Sequence, residues 1–364
     1  MSAIISHSSL VLLVILGSAA NEVSSHGHPS DFRLHSMDEF VQASRISSKS
    51  NSDNPCPSPT VAIIMVKTAP THFHNRNIIR RTWGPEAMND SMVTRFVIGE
   101  TGIHSLDQLI DKENLLHHDI VRGHFMDHYY NLTLKTVSIL SYAAHFCPNT
   151  WTLLTDDDMV INARGLAAFI RTKEVSHQSL SLYCSTWQGA AVRSDPADKF
   201  YVPNQILLSH MTVYPDYCSG TGYLMPPGGS HLLHAAVSRT EPKLQFEDVF
   251  VTGLARVTAG IPIEDQRFRF FVYIDWIWLP LMRGIVITVG QSSEPEEAWS
   301  QFVRLRDHPY IEFLFPLVII SSLVSMCIML LMLKRWLKHH FYSLICIKIC
   351  YSNRSHKYHK LRVF

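Results

Sequence analysis

Apolar positions along the first half of the chain fall into short runs separated by segments in which they recur at helical spacing. Residues 61–66 (Val-Ala-Ile-Ile-Met-Val) form one continuous apolar run, the pattern of a strand buried on both faces. Residues 74–83 open a helix, 94–99 make a second short strand, and 106–116 make a helix. Residues 119–121 give a third strand, 132–146 a strongly periodic helix, and 151–154 a fourth strand. Strands alternating with helices predict an α/β protein with a mainly parallel, Rossmann-like sheet. The second half is less regular. Pro203, Pro215, Pro226, Pro227 and a Gly-rich stretch over 220–229 predict pocket-building loops rather than further strand–helix units. A short helix is expected over 232–237, and a better one over 247–259 that opens on two acids.

Two apolar segments stand outside this pattern. Residues 10–17, followed by Ser18, Ala19 and Ala20, have the length and cleavage-site chemistry of a signal peptide spanning 1–20, with a weak signal-anchor as the other reading. Residues 313–333 contain no charge, and 21 residues at ~1.5 Å each reach ~31 Å, one hydrocarbon thickness. Lys334, Arg335 and Lys338 follow at once and predict a cytosolic end. The expected division is therefore a signal over 1–20, a Ser/His/Asn/Asp-rich stem over 21–56, and a lumenal domain over 57–305. A transmembrane helix over 313–333 and a basic cytosolic tail over 334–364 complete it.

Charge and cysteine usage agree with that division. The formal net charge of the 364 residues is +1, but residues 334–364 carry eight Lys or Arg and no acid, so residues 1–333 carry −7. A mildly acidic body argues against nucleic-acid binding. Cys56, Cys147, Cys184 and Cys218 are an even set suited to an oxidising compartment, with pairing left open. Asn89 and Asn131 head glycosylation sequons; Asn353 heads a third on the cytosolic side. Cys346 and Cys350 are expected to be free thiols beyond the span.

The fourth strand runs into Asp156-Asp157-Asp158. Adjacent carboxylates repel, and a divalent cation with a phosphate ligand can neutralise them. In open α/β sheets, ligands bind beyond the carboxyl ends of strands, where this triplet lies. By itself an acidic turn accounts for it equally well. Arg76 and Arg80, four apart, share one helix face and suit bidentate phosphate contact; surface ion pairs are the alternative. His117, His118, His124 and His128 match no zinc spacing and read as surface residues.

Seven blocks in order carry a resemblance. They are residues 66–70 (Val-Lys-Thr-Ala-Pro), 76–84 (Arg-Asn-Ile-Ile-Arg-Arg-Thr-Trp-Gly), 96–99, 127–136, 156–158, 217–223 (Tyr-Cys-Ser-Gly-Thr-Gly-Tyr) and 247–250 (Glu-Asp-Val-Phe). Over roughly residues 60–300 the chain resembles the β-1,3-galactosyltransferase and β-1,3-N-acetylglucosaminyltransferase family. The resemblance implies a GT-A fold, a UDP-sugar donor, Mn²⁺, inversion at the anomeric carbon, and a glycan acceptor on protein or lipid at the Golgi membrane.

It also distributes roles. Asp248 is implied as the base, with Glu247 supporting it or binding the acceptor; Asp158 would ligate the metal and Asp156 would position ribose or metal-bound water. Arg76, Arg80, Asp157 and Lys135 fall on the donor side, although a solvated helix lysine also fits Lys135. Gly220, Gly222 and Tyr223 would form a wall against a sugar, and Trp187 is a candidate stacking platform. Two departures stand out: Gly290 lies where a late metal-site His is expected, and the clear anchor is C-terminal rather than N-terminal. The expected activity is transfer of galactose or N-acetylglucosamine; the alternative is a catalytically weak relative acting as a lumenal chaperone or glycan-binding partner.

Overall fold

The computed structural model describes residues 32–45, 55–175, 180–206, 211–272, 287–289, 295–307 and 317–338. The chain divides into two compact units, residues 1–303 and 304–364. Seven strands form one sheet in the order β3-β2-β1-β4-β7-β6-β8: β1 (Ala62–Lys67), β2 (Met92–Glu100), β3 (Ile120–Met126), β4 (Trp151–Asp156), β6 (Leu182–Trp187), β7 (Tyr217–Met225) and β8 (Ile263–Asp265). β1 pairs in parallel with both β2 and β4, and β2 with β3, while β7 runs antiparallel to β4 and β6. The short strands β5 (Val160–Ile161) and β9 (Thr288–Val289) pair separately.

Side chains alternate across a strand, so each strand feeds two cores. From β1, Ile63 and Met65 enter one core and Ala62, Ile64 and Val66 the other. The first core collects α1 (Met37–Ala43), α5 (Leu132–Phe146) and α7 (Gly229–Val237). The second collects α2 (Phe73–Arg81), α3 (Trp83–Asn89), α4 (His104–His117) and α6 (Ala163–Val175). The same alternation puts Lys67 with Ile63 and Met65, on the side of α5.

The mainly parallel α/β architecture is as expected, with two differences. The Gly-rich stretch is not a loop: β7 is a central strand between β4 and β6, and it starts at the end where β1 and β4 finish. Glycine is admitted because a Cβ on Gly222 would come within 3.3 Å of Thr288 Cγ2, so its absence lets β9 lie close. Part of the expected stem is also structured: Ser36 caps α1 in a reciprocal arrangement with Glu39, and Phe40 and Ala43 are buried in the first core. The expected signal over 1–20, Gly290, Cys346, Cys350 and Asn353 lie outside the described residues.

Disulfides join Cys56 to Cys147 and Cys184 to Cys218, across 91 and 34 residues. Closing loops of that size removes enough unfolded-state entropy to contribute roughly 4 kcal/mol each. In the second unit, α9 (Leu317–Lys338) has 22 residues and a mean hydropathy of 2.4, long and apolar enough to cross a membrane.

The two sequons differ. Asn89 is exposed at the end of α3. Asn131 is buried, its Nδ2 donates to the Met126 carbonyl at 2.8 Å, and Thr133 of the same sequon is fully enclosed. The folded chain has no room for a glycan at Asn131, contrary to expectation. Peptide mass analysis of protein from a secretory host is expected to find glycan on Asn89 and none on Asn131. A modified Asn131 in folded protein would overturn this.

Candidate active site

The site forms where β1 and β4 end and β7 begins. Lys67, the last residue of β1, is 5% exposed, and its ammonium gathers three oxygens: Gly220 O at 2.6 Å, Glu247 Oε2 at 3.2 Å and Asp156 Oδ1 at 3.2 Å. Burial works against its charge, but Asp156 and Glu247 more than offset that, and its pKa is raised. A buried cation bridging two carboxylates is well placed only because all three are paired. Lys67 therefore ties the acidic end of β4 to the acid pair that opens the late helix. It lies within the 66–70 block that carries the resemblance, but the sequence assigns it no role, because the carboxylates it meets lie far along the chain.

The three aspartates of the triplet are not equivalent. Asp157 points into protein: Thr68 Oγ1 at 2.5 Å and His72 Nδ1 at 2.8 Å meet its Oδ2, and Asn75 Nδ2 meets its Oδ1 at 3.3 Å. Burial pushes its pKa up, yet the His72, Thr68 and Asn75 contacts prevail and hold it below the usual range. Both oxygens are occupied, so Asp157 anchors the loop before α2 rather than facing a ligand. Asp156 is raised by burial despite Lys67. Asp158 is raised to about 7, first by burial and then by its two neighbours, and its Oδ1 is enclosed with no hydrogen-bond partner among the described residues. Trp83 Nε1 donates to the Met159 carbonyl at 3.1 Å and pins the chain just beyond the triplet.

Glu247 and Asp248 begin the expected late helix, but its first two turns are wider than an α-helix. Asp248–Ala255 is a π-helix that continues as α8 (Arg256–Ala259), and π segments are rare and concentrate at functional sites. Thr252 fastens it: its Oγ1 donates to the Asp248 carbonyl at 2.6 Å and accepts from Cys218 N–H at 2.8 Å. Tyr223 is fully buried and donates to Glu247 Oε1 at 2.7 Å, which makes it a support for the acid pair and not a wall. Val249 N–H donates to Asp248 Oδ1 at 2.8 Å. An added Cβ on Gly220 would stand 3.5 Å from Glu247 Oε2 and 3.8 Å from Asp248 Oδ2, so Gly220 does border the acids. Burial, then the Glu247 charge, raise the Asp248 pKa to about 6.

The expected cationic patch is placed differently. Arg76 is 0% exposed and forms a bidentate pair with Glu113, Nε to Oε1 at 2.9 Å and Nη2 to Oε2 at 2.7 Å. Arg80 donates to Glu113 at 2.7 Å and to both oxygens of Asp119 at 2.8 Å. Neither guanidinium lies open to a phosphate. Arg76 Nη1 also donates to the Ala69 carbonyl at 2.8 Å, so it braces the turn that carries Thr68 and His72. Lys135 is also buried, bound to the Thr68 carbonyl at 2.6 Å and to Asp127 at 3.0 Å, and is not a solvated lysine. His117, His118 and His128 are exposed and His124 half-buried, in keeping with surface residues. Trp187 is 46% exposed and pairs across the sheet with Tyr217, the first residue of β7.

Among the described residues no group of three His, Cys, Asp or Glu is poised to hold a metal. The enclosed, partnerless Asp158 Oδ1 nevertheless suits a hard cation that completes its shell with ligand oxygens.

Comparison with known proteins places this arrangement. Residues 74–267 match the family model described as Galactosyltransferase. The chain is 30% identical over 211 residues to mouse beta-1,3-galactosyltransferase 1, covering 57% of this chain and 63% of that protein. It is 29% identical over 243 residues to human beta-1,3-galactosyltransferase 5, covering 64% and 76% respectively. Mouse beta-1,3-galactosyltransferase 4 is 31% identical over 226 residues, covering 54% of this chain and 60% of that protein. Against the first of these relatives, then, the match spans less than two thirds of the relative's length. The family match begins within α2, ends just after β8, and encloses the acidic triplet, the Gly220 strand and the Glu247–Asp248 pair, so the chain belongs to the galactosyltransferase family.

Proposed function

We propose that this protein is an inverting β-1,3-hexosyltransferase of the GT-A type, moving galactose or N-acetylglucosamine from a UDP-sugar to an acceptor glycan. The observation that carries the reading is the Lys67 bridge, which brings the β4 carboxylates and the Glu247–Asp248 pair into one site. Donor and acceptor groups must meet within bonding distance, and one fixed cation between the two acid clusters sets their spacing.

Asp248 takes the proton of the acceptor 3-hydroxyl as that oxygen bonds to the anomeric carbon, and the bond from that carbon to the diphosphate oxygen breaks on the opposite face. UDP departs with the electron pair, and configuration inverts. Glu247, held by Lys67 and Tyr223, orients Asp248 and keeps its pKa near the working range. Asp158 would hold Mn²⁺, with Asp156 beside it against the ribose; when bound, the ion supplies Lewis-acid stabilisation of charge on the departing diphosphate. Arg76 and Lys135 act at one remove, bracing the 68–70 turn, and Arg80 shares the Glu113 carboxylate with Arg76. The apolar α9 anchors the enzyme in the Golgi membrane with the catalytic unit lumenal, where the two disulfides persist.

UDP release by the full-length protein in detergent tests the reading, using UDP-galactose and UDP-N-acetylglucosamine with and without Mn²⁺. Metal-dependent release with one donor, stimulated by acceptor and reduced about 100-fold or more in Asp158→Ala, is the expected result. Metal-independent turnover would remove Asp158 from its role. UDP binding with no turnover on any acceptor would favour the non-catalytic glycan-binding alternative.

A further inference from the structure

Residues 243–246, which lead into Glu247 and Asp248, form no strand of either sheet. On one side α5 holds them, where Thr133 Oγ1 donates to the Leu244 carbonyl at 2.9 Å. On the other side lie residues 32–35, part of the stem expected from sequence, and the two segments meet one against one in antiparallel order. The Phe32 ring lies 6.3 Å from that of Phe246, and Arg33 N–H donates to Gln245 Oε1 at 3.0 Å. Leu34 bridges Leu244, and His35 N–H donates to the Lys243 carbonyl at 3.0 Å. Lys243, Leu244 and Gln245 are all buried beneath this contact.

α1 carries the same segment to the far side of the acids. Phe40 is buried and meets the buried Phe250 edge-on, with centroids 5.6 Å apart. Phe250 N–H donates to the Phe246 carbonyl at 2.9 Å and closes the turn that bears Glu247 and Asp248. Residues 32–40 therefore grip that turn before and after the acid pair. Lys67 and Tyr223 fix the Glu247 carboxylate, but the Asp248 carboxylate takes its hydrogen bonds from the backbone of its own turn, Val249 N–H among them. Where Asp248 stands is thus set by where the turn stands.

We propose that residues 32–40 are a positioning element of the active site, fixing the turn that carries Asp248 at the reach the acceptor hydroxyl requires. The Arg33 N–H, Gln245 and Phe40 are its positioning groups, and the catalytic unit includes this part of the expected stem. The inference rests on the role of Asp248 as base given above. A misplacement of about 1 Å originating far from the chemistry can lower a rate by about 100-fold, so a clasp 212 positions away in sequence can control turnover without touching substrate.

The test uses full-length protein in detergent, with the aryl β-galactoside or aryl N-acetyl-β-glucosaminide that wild type glycosylates, and counts turnover per UDP-binding molecule. Arg33→Pro removes the N–H that Gln245 accepts; Arg33→Ala keeps it and loses only the exposed side-chain pair with Glu39. Gln245→Met breaks the same bond from the other side at similar side-chain length. Expected is a roughly ten-fold fall in kcat for Arg33→Pro and for Gln245→Met, with KM for the UDP-sugar unchanged and Arg33→Ala within about two-fold of wild type. The double variant Arg33→Pro/Gln245→Met should lose little more than either single one, the non-additivity of two groups in contact. Wild-type kcat in both single variants would overturn the inference alone. So would parallel losses of kcat and UDP binding, which mark a segment that only supports folding, or an Arg33→Ala as impaired as Arg33→Pro. A wild type that transfers to no acceptor would overturn the transferase reading itself, and this inference with it.

Discussion

Asp248→Asn is expected to lower transfer by about 10²- to 10⁴-fold, the contribution of a positioned general base, while leaving UDP binding and thermal stability near wild type. The substitution keeps shape and keeps an oxygen to accept from Val249 N–H, so it removes little besides the proton acceptor. A pH signature accompanies it. The carboxyl is raised to about 6 by burial and by Glu247. Below that value it is protonated and cannot act, so kcat/KM for the acceptor should rise with pH up to about 6 and then level, falling about ten-fold per unit on the acid side. The acid limb should vanish in Asp248→Asn. Transfer retained within a factor of ten by the variant would assign the base elsewhere.

Glu113→Ala is expected to cost roughly 3 to 5 kcal/mol of stability, the range for removing one partner of a buried pair. It would leave two guanidiniums short of their common carboxylate: Arg76, wholly enclosed, and Arg80, which keeps only Asp119. Thermal unfolding of the full-length protein in detergent should begin some 10 °C lower, taking about 2–4 °C per kcal/mol for a unit of this size. Turnover per folded molecule should change far less. Burial alone would raise the Glu113 pKa, but Arg76 and Arg80 reverse that and hold it low. Its contribution is therefore present above the ordinary carboxylate range and is lost as pH falls through the lowered value. A variant with unchanged Tm and a raised KM for the UDP-sugar would restore these arginines to the donor.

The parallel half of the fold was legible because periodicity reports burial on each face, and residues 61–66, 132–146 and 151–154 carry nothing that competes with that signal. β7 was not legible. Gly220, Gly222 and the prolines around it speak of turns locally, and only tertiary pairing with β4 makes them a strand. At the site, motif order located the acids but not their orientation. Asp156, Asp157 and Asp158 are chemically identical in sequence, yet only the middle one is claimed by Thr68, His72 and Asn75. Arg76 and Arg80 were read as a ligand patch because spacing shows a shared helix face; it cannot show that Glu113 and Asp119, 33 to 39 residues away, already occupy it. Lys67 sits inside the 66–70 block, but nothing local to it shows the two carboxylates it bridges; its role follows from what surrounds it.

The antiparallel seam between β4 and β7 has a consequence for how the chain matures. Thr155 lies opposite Gly222, 67 positions later, and the Gly220 carbonyl that receives the Lys67 ammonium lies on β7 beyond that seam. Loop closure over such a span is slow relative to local helix formation and parallel pairing nearer in sequence. A nascent chain that has emerged only as far as β6 carries the acidic strand end but not the Glu247–Asp248 pair. The bridge that joins the two acid clusters can therefore form only once β7 and the start of the π-helix have been added to the chain.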